Sequence, residues 1–320
     1  QELPSIVVGG ALMKRLPLAL SLLMLTSWTI PSAAQETWAE RLGYGPDQKV
    51  VIMYADDSGA AYEFNAAAQK GLESGMIQSV GVMVPAPWSP DFANWRAEHP
   101  NHDIGVSLSL VSPSNAMRWG PISGRSAVPS LVGADGFFSK SVMQFALRAD
   151  AKQVQAEIEA QIDQARAMGL KPTHIVPHLG TLVVRPDLMK VYLSTAEKYW
   201  IPAVMVEFSP KTVERFRADG YPLQQEVLDA VASYPLPKVD DLVDVPDADS
   251  YEQKRENLFE TVRALSPGIS QVFLEPAEGS AALRRMSTRW KNRTWEAKLL
   301  EDKQVHEFFQ NEGIVFTNWR

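Results

Sequence analysis

The chain has 320 residues, of which 45% are hydrophobic and 22% are charged, and these proportions suit one large or two small globular domains. Its formal net charge of −7 and its lack of a basic cluster argue against a nucleic-acid partner, because a duplex binder needs basic side chains that neutralise phosphates. The sequence contains no cysteine, so disulfides contribute nothing to its stability.

The amino terminus has the features of a secretory signal. Met13–Arg15 form a short basic region, residues 16–30 are apolar, and small residues follow up to Ala34. The apolar stretch is too short for a comfortable transmembrane span. We therefore expect a leader at residues 1–34, with a signal peptide at about 13–34, and an exported protein that is periplasmic or secreted.

Residues 35–320 are predicted to form one α/β domain, because apolar runs alternate with amphipathic ones, as in a βα-repeating fold with a parallel sheet. The predicted strands are 50–54, 79–84, 104–110, 173–176, 203–206, 270–274 and 314–316. The clearest predicted helix is 151–168, in which Val154, Ile158 and Ile162 recur at helical spacing.

Two irregular regions interrupt this alternation. Residues 112–141 are rich in Pro, Gly and Ser but also contain aromatic residues, which favours an ordered loop of the kind that builds substrate pockets. Residues 221–249 combine prolines with several aspartates, which favours a solvated excursion. No glycine occurs in that second region, so a calcium-binding loop is disfavoured.

The first predicted strand ends in two adjacent carboxylates, Asp56 and Asp57. Ligands of open α/β folds bind beyond the carboxyl ends of the strands, so these positions favour chemistry. The alternative is a helix N-cap followed by an acidic first-turn residue, and this segment alone leaves both interpretations open.

Further polar residues occur within or after later strands. Ser107 lies in the third predicted strand, while His178 and Glu275 follow the fourth and sixth. In a closed β/α barrel the carboxyl ends of the strands converge on one face, so these residues can share a site. His174 and His178 share a face by the period of two, and we expect at least one of them to bind a metal.

Several segments match one family in order along the chain. They are Ala-Asp-Asp-Ser-Gly at 55–59, Ser-Val-Gly-Val-Met-Val-Pro at 79–85, Asp-Ile-Gly-Val at 103–106, Arg-Trp-Gly-Pro at 118–121 and Thr-His-Ile at 173–175. With these motifs the chain resembles the YdjC-like (ChbG/HpnK) carbohydrate deacetylases from about residue 49 to its carboxyl terminus.

The resemblance implies an irregular β/α barrel of the polysaccharide deacetylase type, which hydrolyses N-acetyl groups of small or oligomeric sugars. It also implies one divalent metal ion, Mg²⁺, Zn²⁺ or Mn²⁺, held by an aspartate and two histidines. By position, Asp57 and His178 correspond to metal ligands and Asp56 to the general base. Such a site leaves room for a metal-activated water whose proton a nearby carboxylate accepts.

Three positions depart from the family pattern. Ser107 stands where the family has a metal-binding histidine, Val176 replaces an aspartate, and Glu275 replaces a proton-donating histidine. In an enzyme, Asp57 and His178 would then hold the metal with Ser107 or water, and Glu275 would act as the acid if its pKa is raised. The candidate substrate-binding residues are Arg118, Trp119, Arg185 and His174.

Two alternatives remain at this point. The barrel could keep a saccharide-binding cleft without turnover, lined by residues such as Arg118, Trp119 and Phe137. A glycosidase using Asp56 with Glu275 is a weaker alternative. Asp56 with Asp57 is excluded as such a pair, because neighbouring strand residues are expected to point in different directions. The sequence also leaves a homo-oligomer open.

Overall fold

The computed structural model describes residues 36–218, 220 and 223–320 of the chain. The predicted leader at residues 1–34, with its signal peptide, lies outside the described residues. Residues 36–320 cluster as one compact unit. Across the described ranges, none of the helices is both long enough and apolar enough to cross a bilayer.

The described strands form one parallel sheet in the order β4-β3-β2-β1-β6-β5, with β7 paired to the start of β1. Their bounds are β1 Lys49–Ser58, β2 Ser79–Val82, β3 Asp103–Leu108, β4 Ile175–Pro177, β5 Asp241–Asp244, β6 Gly268–Leu274 and β7 Val315–Phe316. Six of these strands overlap predicted ones, which confirms the predicted α/β class.

A short extended segment closes this sheet into an irregular barrel. Ile175 of β4 bridges Ala203, and Val206 bridges Val239 just before β5. The Val204 N–H donates to the Ile175 carbonyl at 2.8 Å. The predicted strand in this segment therefore forms only isolated bridges, one to each neighbour, and the barrel is irregular at this point.

Helices surround the barrel and connect its strands. Their bounds are α1 Trp38–Arg41, α2 Tyr62–Ser74, α3 Ser89–Glu98, α4 Val142–Arg148, α5 Ala151–Ala167, α6 Pro186–Tyr199, α7 Pro210–Ala218, α8 Gln225–Ser233, α9 Tyr251–Ala264, α10 Ala281–Met286, α11 Trp290–Leu299 and α12 Lys303–Asn311. The predicted helix at 151–168 is α5, capped by Asp150, whose side chain accepts from the N–H groups of Lys152 and Gln153.

Alternate residues of β1 pack on opposite faces of the sheet. Val50, Ile52 and Tyr54 belong to a small buried cluster that includes Val176 of β4 and Ile269 of β6. The intervening β1 residues belong to the larger core cluster, to which the helices contribute. The period of two thus divides this strand between the barrel interior and the outer layer.

Two glycines make room for polar side chains inside the barrel. Gly81 of β2 and Gly105 of β3 are direct neighbours in the sheet register. A Cβ atom on Gly105 would overlap the ring of His174, and one on Gly81 would overlap the Tyr54 hydroxyl. Glycine is therefore required sterically at both positions.

The prediction of a solvated excursion at 221–249 was wrong, because the described part of this region contains α8 and β5. Two of its acids serve the fold. Asp240 accepts hydrogen bonds from the N–H groups of Trp38 and Ile269, each at 2.8 Å, and Asp241 pairs with Arg215. Asp244, Asp247 and Asp249 are exposed, so the acid-rich composition indicated exposure for only part of the region.

The loop at 112–141 is ordered, as predicted. It contains a 3₁₀ turn at Pro129–Leu131 and an antiparallel bridge between Val132 and Phe138. Trp119, Leu131 and Phe138 are buried. This apolar packing fixes the loop beside the carboxyl ends of the strands.

Candidate active site

Asp56 and Asp57 lie at an irregularity near the end of β1. The register with β2 shifts between Ala55 and Ser58, and Asp57 has a φ angle of 63°, in the left-handed region that is uncommon for residues other than glycine. We expected the two side chains to diverge, but candidate ligand atoms of Asp56, Asp57 and His178 all lie within 4.8 Å of one another. The bulge has brought both carboxylates to one site.

His178 begins the 3₁₀ turn that follows β4, and only 3% of its surface is exposed. Its Nε2 lies 3.0 Å from Asp57 Oδ1. Its Nδ1 lies 3.4 Å from the Ser109 hydroxyl, which accepts a hydrogen bond from Trp119 Nε1 at 3.1 Å. The imidazole thus lies between the Asp57 carboxylate and the Ser109 hydroxyl, which Trp119 helps to position.

Arg293 of α11 contacts the other oxygen of Asp57. Its Nη1 is 2.8 Å from Asp57 Oδ2, and its Nη2 is 3.0 Å from Glu275 Oε2. Arg289, one helical turn earlier, also pairs with Glu275. The guanidinium of Arg293 therefore forms ion pairs with both Asp57, near the end of β1, and Glu275, directly after β6.

The partners of each buried group set its charge. Burial raises the pKa of Asp56. Burial would also raise the pKa of Asp57, but Arg293 and His178 outweigh it and hold that pKa well below its usual range. Burial would lower the pKa of His178, but the hydrogen-bonded Asp57 carboxylate raises it. Burial and the Asp57 charge raise the pKa of Glu275 to about 7, against the paired arginines.

Ser107 contacts the site through Asp56. Its hydroxyl is buried and donates to Asp56 Oδ1 at 3.0 Å. Sequence had suggested Ser107 as a weak metal ligand and Asp56 as the general base. The structure places the Asp56 carboxylate beside Asp57 and His178, with Ser107 orienting it, and both roles stay predictions.

A cavity of about 500 Å³ adjoins this cluster and is lined by Asp56 and Glu275. Asp56, Asp57, Ser107, His178 and Glu275 were all singled out from the sequence, and the structure brings them together. This part of the site therefore follows the predicted convergence of strand ends.

His174 does not reach the cavity, which contradicts its predicted substrate-binding role. The ring is fully buried, with Nε2 3.0 Å from the Tyr54 hydroxyl and Nδ1 2.9 Å from the Thr173 hydroxyl. Burial lowers the pKa of His174 to about 4, so the ring is neutral at physiological pH. It shares the inward face with His178, as the period of two predicted, but lies deeper in the barrel.

The other predicted substrate-binding residues hold loops in place. Arg118 donates to the Phe138 carbonyl at 2.8 Å, and Arg185 donates to two carbonyls at the end of α4. Trp119 is only 5% exposed. The cavity lining includes none of Arg118, Trp119 or Arg185. Their contact with substrate stays a prediction that these positions do not support.

Sequence reasoning missed the polar face of α11. Arg289, Arg293 and Glu296 recur at helical spacing, and Glu296 is 2% exposed and paired with the buried Lys254 at 2.6 Å. That spacing shows that the three share a helix face. Charged helix faces usually lie in solvent, so no feature of the sequence predicted that this face packs inward.

Comparisons with known proteins place this geometry in a family. A carbohydrate deacetylase of Thermoanaerobacter pseudethanolicus is 25% identical over 85% of this chain and 98% of its own length. One from Thermus thermophilus is 37% identical over 52% of this chain and 57% of its own length.

A solved structure from Enterococcus faecalis V583, described as a candidate cellobiose-phosphate cleavage protein, has a TM-score of 0.70 at 24% identity. The alignment covers 85% of this chain and 98% of the chain in that structure. The similarity confirms the barrel fold. The family model described as YdjC-like protein matches residues 50–311, which include the whole candidate site, and this chain therefore belongs to the YdjC-like protein family.

Proposed function

We propose that this protein is a metal-dependent hydrolase that removes acetyl groups from N-acetylated sugars. The observation that carries the proposal is the convergence of Asp56, Asp57 and His178, whose candidate ligand atoms lie within 4.8 Å of one another beside Glu275 and a cavity. The names of the curated relatives, carbohydrate deacetylases, supply the reaction class.

The donor atoms present fit a divalent cation. Carboxylate and imidazole donors suit Zn²⁺, Mn²⁺ or Mg²⁺; Asp57 and His178 would hold the ion, and Asp56 lies beside them. When bound, such an ion lowers the pKa of a coordinated water and polarises a carbonyl oxygen. The Arg293 guanidinium also pairs with Asp57 Oδ2 and therefore competes with the ion for that carboxylate.

The chain supplies proton transfer and positioning. Asp56 has a raised pKa and is oriented by the Ser107 hydroxyl, so its free oxygen suits acceptance of a proton from the attacking water. Glu275, with a pKa of about 7, is partly protonated near neutral pH and suits donation to the leaving nitrogen. Arg293 keeps Glu275 and Asp57 in fixed relative positions.

One observation favours a non-catalytic saccharide binder as the second candidate. The Arg293 guanidinium already pairs with Asp57 Oδ2, and a serine occupies the position where relatives are expected to have a metal-binding histidine. Because Arg293 is always positively charged, it competes with a metal ion for the negative charge of Asp57. In that case the cluster would have become structural.

Metal analysis and acetate release distinguish the two candidates. Protein purified without a histidine tag should retain a stoichiometric divalent ion and release acetate from an N-acetylated oligosaccharide. Loss of a group that only orients a metal ligand costs roughly 10- to 100-fold in affinity. Asp57→Asn changes a candidate ligand itself, so it should lower metal affinity by at least that factor, whereas the exposed Asp47→Asn control should not. Absence of both metal and acetate across Zn²⁺, Mn²⁺ and Mg²⁺, with saccharide binding that survives a chelator, would establish the binder instead.

Ser107→His offers a second test of the same choice. An imidazole restored at this strand position should raise metal affinity if the site still works as a metal centre. In a repurposed site it should change little, and Ser194→His, at an exposed position on α6, controls for a histidine added away from the site.

We also propose that the protein is exported, from the signal-like segment at 13–34. Expression of the full chain in a bacterial host should yield a mature protein that begins at Gln35. Recovery of unprocessed chain from the cytoplasm alone would count against export.

A further inference from the structure

The cavity beside the candidate site is lined by a few charged residues and by many apolar ones. Its charged lining residues are Asp56 and Glu275 at the ends of β1 and β6, Asp244 of β5, and Arg289 and Glu296 at α11. Its described lining residues between 176 and 189 and between 204 and 223 are all apolar or glycine, and we call them the apolar wall. On β5 and β6, apolar residues such as Leu242, Val243 and Phe273 line the cavity next to the charged ones, so the apolar wall is the part of the described lining without charge.

The apolar wall is not sealed by the protein's own packing. Leu179 is 46% exposed, and Val183, Phe208 and Leu223 are half-buried although they line the cavity. Apolar surface that faces water in a concave site is favourable to cover with an apolar ligand. A volume of about 500 Å³ lies within the range that small-molecule ligands fill.

A sugar ring fits the apolar wall of this cavity poorly. Hydroxyls placed against that wall would lose water without gaining hydrogen bonds, which is unfavourable. Among the charged lining residues, Glu275 is already paired with Arg289, and Glu296 with Lys254. The apolar wall therefore suits an acyl chain better than it suits sugar hydroxyls.

We propose that the cavity binds the acyl chain of the scissile amide, and that the preferred substrate is an amino sugar carrying an N-acyl chain longer than acetyl. The amide carbonyl lies at the boundary formed by Asp56 and Glu275, with the chain along the apolar wall. This proposal rests on the proposed hydrolase function. Water oxygen bonds to the carbonyl carbon, the C–N bond breaks, and the nitrogen gains a proton, so the products are a carboxylate and a free amine.

A series of N-acyl glucosamines, from acetyl through butanoyl and hexanoyl to octanoyl, tests the acyl chain directly with the purified full chain. Each added methylene that enters the cavity should raise kcat/KM about fourfold. Release of free amine is the readout. A maximum at acetyl, with a steady fall for longer chains, would overturn the inference.

Leu179→Asn tests the wall itself. Leu179 has a φ angle of 52°, a left-handed conformation that asparagine tolerates better than leucine, so the variant should fold. It should reduce the octanoyl-to-acetyl ratio of kcat/KM severalfold. Leu147→Asn, at a 79% exposed leucine on α4 outside the cavity lining, is the matched control and should keep the ratio. Equal ratios in both variants would contradict the proposal.

Binding of octanamide, compared with acetamide by calorimetry, separates failure of the cavity from failure of the function. Octanamide binding without amine release from any N-acyl sugar would refute the hydrolase and keep the cavity assignment. Acetate release from N-acetylglucosamine without octanamide binding would refute the acyl cavity and keep the hydrolase. Preference for an octyl glycoside of N-acetylglucosamine over N-octanoyl glucosamine would assign the cavity to an aglycone and overturn the acyl proposal.

Discussion

His174 and His178 lie on the same inward face of the barrel, yet their surroundings differ. Both rings are almost completely buried. His178 lies at the mouth, where the Asp57 carboxylate raises its pKa. His174 lies deeper, between the hydroxyls of Tyr54 and Thr173, and burial lowers its pKa to about 4. We call these surroundings the mouth cluster (Asp56, Asp57, His178, Glu275 and Arg293) and the inner cluster (Tyr54, Thr173 and His174).

The contrast shows that burial alone does not decide the charge of a histidine. Each ring loses water, but only His178 gains an ionised partner at hydrogen-bond distance. The inner cluster is satisfied by neutral groups and serves the fold. The mouth cluster keeps charge that a reaction can use, and it needs Arg293 to balance its carboxylates.

Removing the cation of the mouth cluster should have the largest effect on stability. Arg293→Met leaves Asp57 and Glu275 buried without their shared partner, and the free energy of unfolding should fall by about 3–5 kcal/mol. Urea unfolding measures this loss. Arg285→Met, at an exposed position on α10, should cost far less. A loss below about 1 kcal/mol for Arg293→Met would show that the mouth cluster does not depend on this charge.

The inner cluster should make the stability of the folded protein depend on pH. The pKa of His174 is about 4 in the folded protein, below its ordinary value of 6.5, so the unfolded chain takes up the proton first as pH falls. Stability from this group is complete above pH 6.5 and should decline by about 3 kcal/mol on approaching pH 4. Thermal or urea unfolding of wild type and His174→Gln between pH 7 and pH 4 isolates the contribution. Parallel curves for the two proteins would refute a neutral buried ring.

Crowding the inner cluster should be costly as well. Gly105→Ala places a methyl group against the His174 ring, and overpacking of this kind costs about 1–3 kcal/mol. Gly45→Ala is the matched control, since its nearest contacts are the flexible side-chain atoms of Gln48 at 3.5 Å. If both variants melt at the same temperature, the steric requirement for glycine in β3 is wrong.

Loss of the Ser107 hydroxyl, which donates to Asp56 of the mouth cluster, should have the smallest effect on stability. Ser107→Ala removes the hydrogen bond to Asp56, which should cost about 1–2 kcal/mol of stability. Ser194→Ala, an exposed hydroxyl on α6, should change stability by less than about 0.5 kcal/mol. An unchanged melting temperature for Ser107→Ala would mean that water replaces the hydroxyl at Asp56.

Local sequence pattern predicted those parts of the fold that depend on burial and period. The continuous apolar run before Asp56 reads as a strand covered on both faces, and β1 is buried from Val50 to Ala55. Family motifs and the strand-end rule brought Asp57, His178 and Glu275 to one edge. The acid-rich segment around β5 was predicted only in part, because Asp240 and Asp241 bind backbone N–H groups and Arg215, whereas Asp244, Asp247 and Asp249 are exposed.

By itself, the sequence determined the α/β barrel, the family and the acidic end of β1, because hydrophobic period and motif order are properties of neighbouring residues. Only the tertiary structure determined the charge of each histidine, the packing of the Arg293 side chain against Asp57 and Glu275, and the position of the apolar wall in the cavity. Those features depend on groups far apart along the chain, such as Arg293 and Asp57, and on a bulge that turned Asp56 and Asp57 to the same side. Ion pairs between distant residues and concave surfaces form only when strands and helices pack together, so no local sequence pattern predicts them.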